Sequence, residues 1–70
     1  MPQFPPELVR VMRNVLEDAM TRVPPEISGS TTKAYLAEAI LKAAAQGQTS
    51  YHELLAAATD KIQSILSLLT

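Results

Sequence analysis

Apolar residues recur at spacings of three and four along most of the chain, the period of an α-helix that buries one face. Between Pro5-Pro6 and Pro24-Pro25, one stripe holds Leu8, Val9, Met12, Val15, Leu16, Ala19, Met20 and Val23. Arg10, Arg13, Asn14, Glu17, Asp18 and Thr21 face away from it, and Val11 sits near its edge. A second, alanine-rich stripe runs through Leu36, Ala37, Ile40, Ala43 and Ala44. In a third, Tyr51, Leu55, Ala58, Ile62, Ile65 and Leu69 step by four and three, widened by Leu54 and Leu66. The pattern predicts helices over about 5–22, 31–46 and 50–69. There is no internal repeat and no alternation of the kind that marks a strand.

The helix ends are written in local chemistry. Proline is tolerated in a first helical turn, where its missing N–H would be unpaired anyway, so Pro5-Pro6-Glu7 reads as a start. Glu7 also suits the positive end of the helix dipole. Pro24-Pro25 stops the first helix, because a residue before proline avoids the α region. Ser30 or Thr31 is expected to cap the second helix. Gly47 suits its C-terminal cap, since glycine takes the left-handed conformation without strain. Ser50-Tyr51-His52-Glu53 matches a capping box and opens the third helix. The connection Gly47-Gln48-Thr49 is short enough to make helices two and three antiparallel or steeply crossed neighbours. Glu7 with Arg10, Arg13 with Glu17, Asp18 with Arg22 and Glu38 with Lys42 stand at ion-pair spacing on exposed faces. The expected architecture is all-α, a single domain over 1–70, arranged as a three-helix bundle or an open three-helix array.

Composition narrows what such a domain can do. At 70 residues it is near the lower limit for one self-sufficient core. It contains no cysteine and one histidine, so disulfides and Cys- or His-cluster metal sites are excluded. The net charge of −1 gives no field for drawing in nucleic acid or anionic lipid. Charged residues are only 19% against about 25% in a typical domain, while 47% are apolar. In so small a body, part of that apolar content must lie at the surface. No run approaches the ~18 apolar residues of a membrane span, and the first residues lack a basic, apolar leader pattern. The expected location is the cytoplasm.

Catalysis finds little to stand on. His52 beside Glu53 is the one candidate general base, and Glu53 is already committed to the cap. The chain has no Gly-rich phosphate loop and no nucleophile motif around Ser50. The sequence therefore points to no catalytic residue, no cofactor and no metal ligand, and the expectation is a protein that is not an enzyme. A helix, a glycine turn and a helix also invite comparison with DNA-reading helix-turn-helix motifs. Those place basic and amide side chains at the start of the second helix. Here that position holds Tyr51, His52 and Glu53, and Gln48 stands where an apolar residue is usually buried. Nucleic-acid binding by a small helical regulator is the alternative reading, with the phosphate-binding term missing.

The tail is the most suggestive feature: Ile62, Ile65, Leu66, Leu68 and Leu69 crowd into nine charge-free residues. Leu68 cannot lie at the centre of a stripe that holds Ile62, Ile65 and Leu69. Met12 and Met20 could add an adaptable surface on the first helix. The expected function is therefore protein interaction, as a homodimer or with a protein partner. The candidate interface is Met12, Met20, Ile62, Ile65, Leu66, Leu68 and Leu69. No membrane or small-molecule partner is indicated.

The words Lys33-Ala34-Tyr35-Leu36-Ala37-Glu38-Ala39-Ile40-Leu41-Lys42-Ala43-Ala44-Ala45-Gln46-Gly47-Gln48-Thr49-Ser50-Tyr51 and Leu54-Leu55-Ala56-Ala57-Ala58 resemble short helical proteins of soil and root-associated alphaproteobacteria. The resemblance covers most of the chain and is weakest from Pro24 to Ser30. It implies a bacterial, cytoplasmic origin. No activity is known for that group, so it transfers no site.

Overall fold

A computed structural model describes residues 4–69. Three helices, α1 (Pro6–Met20), α2 (Ser30–Ala45) and α3 (Tyr51–Leu69), pack against one another as an all-α three-helix bundle. A single 3-10 turn, Pro25–Ile27, lies in the link between α1 and α2. No helix among the described residues is long and apolar enough to cross a membrane.

α1 starts as the prolines dictate, with Pro5 as N-cap and its carbonyl accepting from Val9 N–H at 3.0 Å. It ends two residues earlier than expected. Thr21 donates its hydroxyl to the Asp18 carbonyl at 2.6 Å, and Arg22 and Val23 N–H bond three residues back to Ala19 and Met20. This tightening closes the helix just ahead of Pro24. The cap of α2 also differs from expectation. Gly29 takes the N-cap position, its carbonyl accepting from Lys33 N–H at 3.1 Å, and Ser30 is already the first helical residue. No side chain caps this end.

The α2–α3 turn is as its residues require. Gly47 has φ +96°. Gln48 N–H donates to Ala43 O at 3.0 Å and Gly47 N–H to Ala44 O at 3.1 Å, the paired bonds of a Schellman motif. Three residues later Ser50 N–H donates to Glu53 Oε1 at 3.3 Å, while Glu53 N–H donates to Ser50 Oγ at 3.1 Å. Stop and start signals thus meet within one turn. A Cβ at position 47 would meet nothing within 4 Å, so only backbone strain opposes a substitution there. Gly47→Ala is expected to lower stability by about 1–2 kcal/mol. A urea titration should show this as a lower midpoint with an unchanged slope.

The core draws on every helix: Met12, Val15, Ala19 and Val23 from α1 and the link after it, Leu36, Ile40, Ala43 and Ala44 from α2, and Leu54, Ala58 and Ile62 from α3. Two stripes are rotated from their expected positions. Val11, expected near the polar edge of α1, packs against the core, and Val9 is exposed. Val11 meets the hairpin tip, bordering a depression with Leu8 and Thr49, whereas Val9 faces an open hollow beside Leu41. In α3 the buried seam is Leu54, Ala58 and Ile62; Tyr51 and Leu55 are half-buried flanks. The second departure is Leu69, which is exposed rather than core-facing. At 1.5 Å per residue, the 19 residues of α3 reach about 28 Å against about 24 Å for the 16 of α2. The last turn of α3 overhangs the bundle.

Candidate interaction surface

The overhang decides where the candidate interface residues lie. Met12 and Ile62 are in the core, 8% and 5% exposed, and are removed from any surface of the folded monomer. Their helices carry them to the centre of the buried stripes. Met20 and Leu66 are half-buried and pack against that core. Ile65 is half-buried on the face toward α2. Leu68 and Leu69 are 86% and 63% exposed. Of the seven residues, Ile65, Leu68 and Leu69 come together, at one cleft.

That cleft lies between the last two turns of α3 and the start of α2. Ile27 from the 3-10 turn, Tyr35 from α2, and Ile65, Leu68 and Leu69 from α3 supply its apolar walls, and it encloses about 350 Å³. Lys61 stands at its edge with Nζ 5.6 Å from the Tyr35 ring centroid, a cation–π contact. Ile27 and Tyr35 were not legible as part of this surface. Tyr35 is half exposed because it lies one position to the side of the buried Leu36. A second apolar hollow, about 220 Å³, lies between α1 and α2, where Val9, Leu16, Ala37 and Leu41 surround Arg13. Between α2 and α3 an open hollow of about 560 Å³ has an alanine floor and a rim of both charge signs. Its Lys42 and Glu38 pair at 3.3 Å, both largely exposed. Theirs is the one ion pair among the described residues; the pairs expected along α1 are not formed. Exposed pairs gain little to offset the ordering of two long side chains, and Asp18 has found another partner.

That partner is Tyr51, whose hydroxyl donates to Asp18 Oδ2 and ties the end of α1 to the start of α3. The bond holds the phenol above its ordinary range, with desolvation and the Asp18 charge adding to the rise and Arg22 opposing it. The folded protein therefore holds this proton more tightly than the unfolded chain does. The bond's contribution is whole below the unfolded value of about 10 and is lost as pH climbs through the raised folded value. Tyr51→Phe should accordingly be less stable than the wild type at neutral pH, with the gap closing in alkali. Urea midpoints of the two proteins across the alkaline range check this, and a gap that persists would exclude the tether.

His52 is exposed and meets Tyr51 edge-on, ring centroids 6.0 Å apart. Glu53, its neighbour, is held by Ser50. Among the described residues no group of three or more His, Cys, Asp or Glu side chains could hold a metal ion. Searches of protein-family models, curated proteins and solved structures find no match to this chain. The surface alone carries the functional reading.

Proposed function

We propose that this chain is a non-enzymatic helical interaction module that buries the apolar end of α3 against a second copy of itself or another protein. The observation that carries the reading is the overhang: adjacent leucines, Leu68 and Leu69, stand exposed on the last turn of α3 beside a half-buried Ile65. A solvated helix end would ordinarily carry charge there, and no residue from Ile62 to Leu69 does. A standard interface takes about 800 Å² from each partner. Against a total surface of 4908 Å² that is roughly a sixth, so the leucines would form its centre and neighbouring polar residues its rim. As an interaction module it would work in the bacterial cytoplasm.

Sedimentation over a wide concentration range tests the reading. The wild type is expected to associate as concentration rises, and the double variant Leu68→Glu, Leu69→Glu to stay monomeric with unchanged helix content. A wild type that is monomeric at the highest concentration would sink the pairing of copies. A double variant that associates as well as the wild type would sink the placement at the end of α3.

A further inference from the structure

The large apolar side chains exposed among the described residues fall into two groups of opposite shape. Leu68 and Leu69 project from the overhanging last turn of α3, with Tyr35 across the cleft beside them. Val9 and Leu41, 38% and 48% exposed, instead border the hollow between α1 and α2. That hollow measures about 220 Å³. An apolar cavity of about 150 Å³ already admits a benzene ring, so this one has room for a leucine side chain. No described residue of α3 lines it. Ile65, Leu68 and Leu69 border the other cleft, so the tail does not fill the hollow of its own copy. The two groups also differ in sign. Arg13 is the one charged residue in the described lining of the hollow, and no ion pair engages it among the described residues. The last turn of α3 carries no basic residue, so no cation of that turn offsets the negative end of the helix dipole. A guanidinium among apolar walls complements an apolar helix end of negative sign, whereas two such helix ends set tip to tip repel.

We propose that the occupant of this hollow is the last turn of α3 from a second copy of the chain. Leu68 and Leu69 of one copy enter between Val9 and Leu41 of the other, and Arg13 faces the carbonyl end of the entering helix. This inference rests on the interaction reading and specifies the surface that receives the leucines. The contact joins two unlike surfaces, a tail and a hollow, rather than one patch to itself. A chain with a broken tail keeps an intact hollow, and a chain with a broken hollow keeps an intact tail. Two such chains, each unable to pair with its own kind, pair with each other. A tail-to-tail interface gives no such rescue.

Complementation between two variants of the full chain tests it, at a concentration where the wild type associates. Leu68→Glu, Leu69→Glu breaks the tail and Leu41→Glu the hollow; all three positions are exposed, and circular dichroism checks that helix content is kept. Each variant alone should sediment as a monomer. An equimolar mixture should give a 1:1 heterodimer. NMR of the isotope-labelled tail variant should show saturable shifts at Val9, Arg13, Leu16 and Ala37 as unlabelled Leu41→Glu is added. Arg13→Glu, at an exposed position, leaves the apolar walls in place and should still weaken self-association about tenfold, while Arg13→Lys should keep most of it. Leu41→Glu and Arg13→Glu associating as strongly as the wild type would overturn the hollow as the receiving surface and leave the pairing of copies through the leucines standing. A mixture that stays monomeric, or shifts confined to Ile27 and Tyr35, would overturn it in the same way. A double leucine variant that associates as well as the wild type would instead sink the placement at the end of α3, and this inference with it.

Discussion

Leu54→Ala is expected to lower the stability of this protein by about 2–5 kcal/mol, while Leu68→Ala on the same helix changes it by no more than about 0.5 kcal/mol. Leu54 is fully buried, touching the core that all three helices share. Removing its isobutyl group forfeits both the transfer energy and the contacts around the resulting void. Leu68 is 86% exposed, so its truncation removes little that folding buried. The difference is large because the total is small. At about 0.05–0.15 kcal/mol per residue, a chain of this length has roughly 4–10 kcal/mol to lose. Leu54→Ala would then leave a substantial unfolded population at ambient temperature. Urea or thermal unfolding followed by circular dichroism reads both variants. The dilution at which Leu68→Ala is measured matters, because an assembly that buries Leu68 would make its loss costly and concentration-dependent. An equal loss for the two variants in dilute solution would contradict the exposed position of Leu68.

What could be read before the structure was local, and what could not was relational. The Schellman turn at Gly47 and the capping box at Ser50 are encoded in a few neighbouring residues, whose own hydrogen bonds decide the outcome. The end of α1 was legible to within two residues because Pro24 forbids its continuation. Rotation of a helix about its axis is different. Periodicity places Val9 and Val11 almost symmetrically about the α1 stripe, and only the position of the hairpin tip makes Val11 the inner of the two. The α2 cap was misplaced for a related reason. Gly29, Ser30 and Thr31 are all acceptable at an N-cap, so the choice fell to tertiary packing, which draws Thr32 into the core edge.

The candidate surface shows the same division. The apolar excess of the tail was plain in the sequence, and Leu68 was visibly out of place on a single stripe. The relative lengths of α2 and α3 separate Leu69 from Ile62, although both point to the same side of the helix. That comparison needs the helices set side by side. The Tyr51–Asp18 tether was hidden for a similar reason: 33 residues separate the partners, and Asp18 already had a plausible neighbour in Arg22.

Ala58→Leu is expected to destabilise the protein by about 1–3 kcal/mol, although leucine is nearly as good a helix former as alanine. Ala58 is fully buried between Leu54 and Ile62 on the inner seam of α3. Alanines stand at the inner positions of the other helices as well, Ala19 on α1 and Ala43 and Ala44 on α2. Such small side chains let helix backbones approach closely, which is how a short chain obtains dense packing from few large residues. Three added carbons at position 58 have no void to enter, so either the side chain leaves its preferred rotamer or a neighbouring helix moves outward. Ala56→Leu is the matched control, because Ala56 is exposed and makes the same change of propensity on the same helix. Its stability should stay within about 0.5 kcal/mol of the wild type. Urea midpoints of the pair separate packing from propensity. If Ala58→Leu were tolerated as well as Ala56→Leu, the close approach of the three helices would be wrong, and with it the argument that small residues compensate for the small size of the core.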